Sequence, residues 1–343
     1  MFFKNAELHN VAELIRSEEN DGFLMSRVPD TVRLKLNDFA KNETAFNGTG
    51  CEIRFNLEGE TAKIKLRRIP SEYYKFGTGL VEIYFGSFQG DYTISPQFIR
   101  LDTVEILVTR PGNMDYLIKK TKEYNLPFDP NLVRVILPYD WSACLIDIEG
   151  EISLPGPGQA PVKKYLAYGS SITHGSTAVR PTGTYAMRIA QILGSDLINL
   201  GFQGSALLEK EMADYIADKN DWDFATLELG ANLFGLGSEL TSEVKIKVDY
   251  FITRIAERNP GKWVFCIDLL TSGLEDDAET MKFRNLVSYK VNSLQLPKLK
   301  YISGRDILKS ITSLTTDICH PSATGEEEIA INLSRMFNLY LSS

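Results

Sequence analysis

Cysteine is scarce in this chain: its 343 residues include only four cysteines, and they lie far apart. Cys51, Cys144, Cys266 and Cys319 form no CxxC pair. Such scattered cysteines favour buried free thiols over a disulfide framework or a structural zinc site. Isolated cysteines are typical of free thiols in a reducing compartment, which favours a cytoplasmic protein.

Long apolar runs are missing as well. No stretch reaches the roughly 20 apolar residues that a membrane span requires. The first residues, MFFKNAELHNVAELIR, include Glu7 and Glu13 where a signal peptide would have its apolar core. We therefore expect no export signal and no membrane partner.

Positive charge is in deficit. Lys and Arg number 37 against 45 Asp and Glu, which leaves a formal net charge of -8. Since no basic stripe is present to neutralise phosphates, we expect no nucleic-acid partner. A hydrophobic content of 43% is ordinary for a globular protein, and the length suggests two domains, each large enough to bury a core.

The first half of the chain has the period-two pattern of β-strands. Ala62, Ile64 and Leu66 alternate with polar residues, and Glu58-Gly59 just before them predicts a hairpin turn. Further strands are predicted over residues 32–36, 52–57, 80–85, 104–109 and 133–137. Many short strands with glycine turns between them, Gly77 among these, predict an all-β sandwich or jelly roll over residues 1–155.

Aromatic residues are frequent in this half. They occur at Tyr73-Tyr74, Tyr84-Phe85, Phe88 and Tyr92. Such residues could stack on sugar rings, although aromatics at strand spacing more commonly fill a core.

Residues 154–161, LPGPGQAP, are rich in proline and glycine and therefore predict a connection between two domains. After this connection strands and helices alternate, which predicts a doubly wound parallel sheet over residues 160–343. Strands are predicted over residues 165–168, 197–200, 224–229, 263–269 and 299–302. Helices are predicted after Thr184, over 209–218 and 244–258, within 276–296 and over 326–341.

The first strand of this sheet ends abruptly in the small and hydroxyl residues GSSITHGS, from Gly169 to Ser176. Ligands bind at this carboxyl edge of an open α/β sheet. A phosphate-binding loop is excluded, because five residues separate the two glycines and Ser176 stands where lysine is needed. A GxSxG nucleophile elbow is excluded because Thr173 replaces its second glycine. A Ser/Thr-rich turn that caps the next helix fits as well.

Three further loops at the same predicted edge carry polar residues. They read NLGFQGS at 199–205, ELGAN at 228–232 and DICHP at 317–321. Together with GSSIT at 169–173, they resemble, in order, four sequence blocks of the SGNH or GDSL-like hydrolase superfamily. This resemblance covers residues 163–343 and implies a flavodoxin-like parallel sheet with serine esterase activity.

The resemblance implies a role for five residues. Ser171 corresponds to the nucleophile, and His320 can accept its proton while Asp317 orients the imidazole. The backbone N–H groups of Ser171 and Gly204 and the side-chain amide of Asn232 correspond to the oxyanion hole. Taken singly, Gly204 also fits a turn, and Asn232 and Asp317 also fit helix caps.

Other residues near these blocks have weaker indications. His174 lies three residues after Ser171 and could line the pocket and contact substrate. Cys319 adjoins His320, but neighbouring side chains point apart, so neither a thiol nucleophile nor a metal cluster is expected. The mechanism requires no metal and no cofactor. Ser170 and Leu233 depart from the acidic residues frequent in the superfamily, which weakens an assignment to its lipase and thioesterase branches.

The combined pattern predicts an enzyme that acts on a small-molecule ester. We expect hydrolysis of short-chain acyl esters, acetyl esters first, with an acylated sugar or glycoside as the leading substrate. Acyl transfer to an alcohol through the same acyl-serine is an alternative, and a carbohydrate-binding protein with an idle catalytic domain is a second one. Association into a homo-oligomer is compatible with the sequence.

Overall fold

The computed structural model describes residues 1–71, 79–234, 239–273 and 277–341. Its strands form two sheets, an antiparallel sheet of eleven strands and a parallel sheet of five. The antiparallel strands are β1 (Phe2–Phe3), β2 (Ala6–His9), β3 (Glu13–Ser17), β4 (Gly22–Ser26), β5 (Glu52–Arg68), β6 (Leu80–Phe85), β7 (Phe88–Gln89), β8 (Gln97–Phe98), β9 (Val104–Thr109), β10 (Leu132–Ile136) and β11 (Ala143–Ser153). The parallel strands are β12 (Lys164–Gly169), β13 (Asp196–Gly201), β14 (Phe224–Glu228), β15 (Trp263–Ile267) and β16 (Leu299–Ile302).

Helices accompany both sheets in the described residues. They are α1 (Asp30–Arg33), α2 (Asp38–Asn42), α3 (Met114–Tyr124), α4 (Ser171–His174), α5 (Tyr185–Ile192), α6 (Lys210–Asp218), α7 (Ser242–Arg258), α8 (Ala278–Ser293), α9 (Gly304–Ile307) and α10 (Ala323–Leu341). Within the described ranges, no helix combines the length and the apolar character that crossing a bilayer requires.

The parallel sheet confirms the predicted α/β organisation. Its strand order is β13-β12-β14-β15-β16, so the chain leaves β12 towards one side and returns to the other. This order is flavodoxin-like, and β12 lies at the switch point where a crevice opens at the carboxyl edge. The loops that follow β12, β13 and β14 therefore meet at one edge of the sheet.

Helices cover both faces of this sheet, which explains why its strands are continuous apolar runs. Tyr165 and Ala167 of β12 pack on the side of α5 and α10. Leu166 and Tyr168, which alternate with them, pack on the side of α6 and α7. All four side chains are buried. The site loops are thus mounted on a strand with no exposed face.

The antiparallel sheet is organised around β5, a continuous strand of 17 residues. The predicted hairpin turn at Glu58-Gly59 is wrong. The strand pairs with β11 on both sides of this dipeptide, and a register shift between Gly150 and Ile152 accommodates the extra residues of β5. A β-bulge therefore replaces the expected reversal of the chain.

The predicted strand over residues 32–36 is also wrong, because helix α1 begins at Asp30 directly after Pro29. A strand would place Val32, Leu34 and Leu36 on one face, yet Leu34 is 57% exposed while Leu36 is buried. Pro29 is the extended N-cap of this helix, and the Pro29 carbonyl accepts hydrogen bonds from the N–H groups of Val32 and Arg33. Together with α3, this helix shows that the first half is not purely β. That residues 1–155 form a sandwich or jelly roll stays a prediction.

The aromatic residues of this half divide between core and surface. Tyr84 and Phe85 are buried, whereas Tyr92 is 95% exposed. Tyr73-Tyr74 and the predicted turn at Gly77 lie outside the described residues. The buried pair fills the core, so it does not form an open stacking surface.

Buried charges connect the two sheets. The Arg54 guanidinium donates two hydrogen bonds, of 2.9 and 2.6 Å, to the Asp196 carboxylate at the start of β13. Arg54 also donates to Glu52, which accepts two more bonds from Arg134. These four side chains are almost inaccessible to solvent. The antiparallel sheet is therefore fixed against the parallel one by an ion network rather than by apolar contact alone.

Candidate active site

Ser171 lies at the carboxyl edge of the parallel sheet, as the first residue of α4 directly after β12. Ser170 precedes it in extended conformation, and the Ser170 hydroxyl accepts a hydrogen bond from the N–H of Ile172. This N-cap forces a sharp turn from strand into helix. The turn presents Ser171 at the end of a rigid strand.

His320 reaches the same point from the loop before α10. Its Nε2 atom lies 2.8 Å from the Ser171 hydroxyl oxygen, and its Nδ1 atom lies 2.6 Å from Oδ2 of Asp317. The structure thus brings together the three predicted catalytic residues in one hydrogen-bonded chain. When Nδ1 donates to the carboxylate, Nε2 is left as the acceptor for the serine proton.

Asp317 also folds the loop that carries His320. Its Oδ1 atom accepts hydrogen bonds from the Thr315 hydroxyl and from the backbone N–H groups of Cys319 and His320. This local turn returns the imidazole to the carboxylate only three residues earlier. The Asp317 side chain therefore stabilises the turn that allows it to contact the imidazole.

The hydrogen bonds to Asp317 also control its charge. Partial burial favours the neutral acid, but the donors from Thr315, His320 and Cys319 outweigh it and hold the pKa of Asp317 well below its ordinary value. A carboxylate with a lowered pKa stays ionised throughout the neutral and mildly acidic range. It can therefore stabilise an imidazolium during the reaction.

Gly204 and Asn232 lie on neighbouring loops. The Asn232 side-chain oxygen accepts a hydrogen bond from the N–H of Ala206, at 3.2 Å, which ties the loop after β14 to the loop after β13. This bond orients the amide, and the NH2 group of Asn232 is a separate donor that can bind another acceptor. Gly204 has a φ of 65°, a conformation that glycine adopts without strain. Both features are compatible with the predicted oxyanion hole, whose assignment stays a prediction.

His174 does not reach the surface of the site. Its side chain is 0% exposed, and its Nδ1 atom pairs with the carbonyl of Gly201 at 3.1 Å. Burial, assisted by the charge of Arg27, lowers the pKa of His174 to about 3. The predicted contact with substrate is therefore not supported, because a neutral imidazole enclosed in the core cannot meet a ligand.

Cys319 remains a bystander in the structure. Burial raises the pKa of the Cys319 thiol, which disfavours the thiolate that a nucleophile or metal ligand requires. Within the described ranges, no group of three or more His, Cys, Asp or Glu side chains is arranged to hold a metal ion.

One buried acid was missed from the sequence. Glu228, the last residue of β14, accepts hydrogen bonds from the backbone N–H and the hydroxyl of Ser170, both at 2.7 Å. In the sequence, Glu228 is distinguished only as an acidic residue at the end of a mostly apolar strand, in the block that ends in Asn232. An acid at that position could equally have been solvated.

Comparison with known proteins agrees with this geometry. A sequence profile of the GDSL-like lipase/acylhydrolase family matches residues 162–338. The chain belongs to this family. It is accordingly an SGNH-type serine hydrolase. A search of curated proteins found no match.

Solved structures share the fold across both halves of this family member. The salicylyl-acyltransferase SsfX3 of a tetracycline biosynthetic pathway is 18% identical, with 98% of this chain and 95% of that chain covered at a TM-score of 0.78. A candidate GDSL-like lipase from Bacteroides ovatus is also 18% identical, with 98% of each chain covered and a TM-score of 0.67. A family two carbohydrate esterase from Clostridium thermocellum is 14% identical, with 86% of this chain and 94% of that chain covered and a TM-score of 0.61.

Turnover by this GDSL-like hydrolase is expected to fall towards acid pH. Protonation of the imidazole removes the acceptor for the serine proton, whereas Asp317, with its lowered pKa, remains ionised over the same range. The logarithm of kcat/KM, measured from about pH 9 to about pH 5, should therefore decline on the acid side, and Asp317 should add no second limb in that range. A flat profile across this range would show that another group is the base.

Proposed function

We propose that this protein is a serine esterase that hydrolyses short-chain acyl esters, acetyl esters of a carbohydrate or glycoside in particular. The observation that carries the proposal is the hydrogen-bonded chain from the Ser171 hydroxyl through His320 to Asp317. An idle catalytic domain would have no need to preserve both bonds. The matching family and the carbohydrate esterase among the structural neighbours support the ester class.

The geometry supports a two-step reaction. His320 Nε2 accepts the hydroxyl proton while Ser171 Oγ attacks the ester carbonyl carbon, and the carbonyl oxygen becomes an oxyanion. Donors from Gly204, Ser171 and Asn232 stabilise that oxyanion, and the imidazolium then protonates the departing alcohol. Water, deprotonated by the same imidazole, then attacks the acyl carbon. The bond from that carbon to Ser171 Oγ breaks, the imidazolium returns the proton to Oγ, and the carboxylic acid leaves. No metal or cofactor takes part in these steps.

We further propose that residues 160–343 form the catalytic unit and residues 1–155 a jelly-roll-like accessory unit. The separate sheets support this division, since the chain changes from antiparallel to parallel pairing between Ser153 and Lys164. Catalytic loops on an open sheet edge give little grip on an alcohol. An accessory unit fixed against that sheet can supply part of the binding surface.

Acyl transfer is the second candidate. The salicylyl-acyltransferase matches nearly the whole chain, so the same two-sheet architecture is found in a protein described as moving an acyl group to an acceptor. An acyl-serine reacts with whichever bound hydroxyl outcompetes water. The two functions share every residue of the triad and differ only in the acceptor.

Product analysis distinguishes these functions. The full chain is incubated with an activated acetyl ester, with and without a methyl glycoside as acceptor, and products are quantified by mass spectrometry. We expect free acetate as the main product in both reactions, because water reaches an open sheet edge. Mainly acetylated glycoside would instead identify a transferase. If neither product exceeded the amount formed by the Ser171→Ala variant, the proposed function would be wrong.

A further inference from the structure

Glu228 accepts hydrogen bonds from the turn that carries the nucleophile. One of its oxygens, Oε2, accepts hydrogen bonds from the N–H of Ser170 at 2.7 Å, from the Ser170 hydroxyl at 2.7 Å and from the Thr173 hydroxyl at 3.1 Å. Ser170 and Thr173 flank Ser171 on either side. The side chain of Glu228 is only 3% exposed, so water cannot replace these bonds.

The backbone of this turn is shaped for the carboxylate. A Cβ atom placed on Gly169 would lie 2.4 Å from Oε2 of Glu228 and 2.2 Å from the Thr173 hydroxyl. No side chain is compatible with such distances, so glycine at position 169 is what lets the carboxylate approach. The acid and the glycine, on neighbouring strands, therefore form one arrangement.

Ser170 fits the same arrangement. It occupies the position at which the superfamily frequently has an aspartate before the nucleophile. Here residue 170 supplies two donors, and the carboxylate that meets them comes from β14 instead. An aspartate at 170 would bring a second negative charge against a buried one. The serine is thus matched to an acid provided by the adjacent strand.

We propose that Glu228 is a positioning residue for the nucleophile. Its carboxylate fastens the turn from Ser170 to Thr173 and so keeps the Ser171 hydroxyl in line with Nε2 of His320. The inference rests on the proposed function, since it concerns the reactivity of Ser171. A displaced nucleophile loses rate while substrate binding, made by other groups, is retained.

The charge of Glu228 matches its partners. The backbone N–H of Ser170 and the hydroxyl groups of Ser170 and Thr173 all donate to Glu228. Burial raises the pKa of Glu228, while the bonds from Ser170 and Thr173 act in the opposite direction. A glutamine can place its one oxygen where Oε2 lies, but it carries no negative charge, so the bonds from Ser170 and Thr173 become weaker.

Two substitutions test this inference in the full chain. For Glu228→Ala we expect kcat on an activated acetyl ester to fall by about a hundredfold or more, with KM within about threefold of wild type. For Glu228→Gln, which keeps one acceptor, we expect a loss of about tenfold. The rate at which a fluorophosphonate labels Ser171 should fall in parallel, because it reports the nucleophile without the alcohol part of a substrate.

Glu326→Gln is the matched control. Glu326 is equally buried, and its Oε2 accepts from the N–H of Tyr185 at 2.7 Å rather than from the nucleophile turn. Burial raises the pKa of Glu326 well above its ordinary value, which favours the neutral acid that glutamine resembles. We expect kcat and the labelling rate within about twofold of wild type.

Thermal unfolding of each variant shows whether it is folded. A folded Glu228→Ala protein with wild-type kcat and labelling would overturn the inference. If that variant does not fold, a Glu228→Gln protein within about twofold of wild type would overturn it equally. A loss in Glu326→Gln as large as that in Glu228→Gln would assign the effect to any buried acid. Failure of the proposed function itself looks different, since wild-type protein would then neither turn over ester nor be labelled.

Discussion

Replacing Ser171 by alanine is expected to lower kcat on an activated acetyl ester by about a thousandfold or more. The substitution removes the oxygen that we propose attacks the ester, which lies 2.8 Å from Nε2 of His320, and leaves the imidazole without a proton to accept. The proposed oxyanion donors remain, so a small residual rate over the uncatalysed reaction should persist. Turnover is measured with the full chain, and labelling by a fluorophosphonate, located by peptide mass spectrometry, should disappear.

Ser176→Ala provides the control for this experiment. Ser176 lies on the same segment, only five residues further on, and is also buried, but its hydroxyl has no hydrogen-bond partner in the described structure. Its removal should therefore leave kcat within about twofold of wild type. A Ser171→Ala protein that is folded and retains more than about a tenth of wild-type turnover would mean that another residue forms the acyl intermediate.

The sequence predicted the candidate site because its parts are local. Each block is a few residues long and follows a predicted strand, and parallel strands bring their carboxyl ends to one edge. Ser171 after β12 and Asp317 with His320 before α10 could therefore be placed together without knowledge of any side-chain contact. The hydrogen bonds between Asp317 and His320 then follow from a turn of four residues that includes both.

Features that depend on pairing between distant segments could not be predicted. A period-two pattern does not tell whether Glu58-Gly59 reverses the chain or bulges, because that depends on β11, about ninety residues later. The apolar residues Val32 and Leu36 fit a helix as well as a strand, since four residues also complete about one helical turn. Short segments of this kind are decided by tertiary packing.

Polar residues in the core were the other omission. In the sequence, Glu228 and Asp196 each resemble a solvated acid, since Asp196 begins a mostly apolar strand and Glu228 ends one. Their partners are distant in the chain: Ser170 lies 58 residues from Glu228, and Arg54 lies 142 residues from Asp196. Charge pairing over such separations leaves no local pattern, so the sequence does not indicate which acids are buried.

Replacing Asp196 by alanine is expected to reduce the free energy of unfolding by about 3–5 kcal/mol. Glu52, Arg54, Arg134 and Asp196 form a buried set of two acids and two cations whose charges balance. Burial disfavours the charge of Asp196, but the charge of Arg54, the neighbouring His9 and the hydrogen bonds from Arg54 together outweigh it and hold the pKa of Asp196 below its ordinary value. Without Asp196, two guanidinium groups would share one carboxylate in a site that excludes water. Urea unfolding of the full chain measures the loss.

Two further variants separate charge imbalance from a general loss of packing. Glu105→Ala removes an ion pair with Lys63 in which both side chains are 46% exposed, and it should cost about 1 kcal/mol or less. Arg54→Met combined with Asp196→Ala removes one charge of each sign and leaves the pair of Glu52 and Arg134 intact. We expect this double variant to be more stable than Asp196→Ala alone, because no buried cation is left over. If Asp196→Ala cost no more than Glu105→Ala, the buried network would not be what fixes the two sheets together.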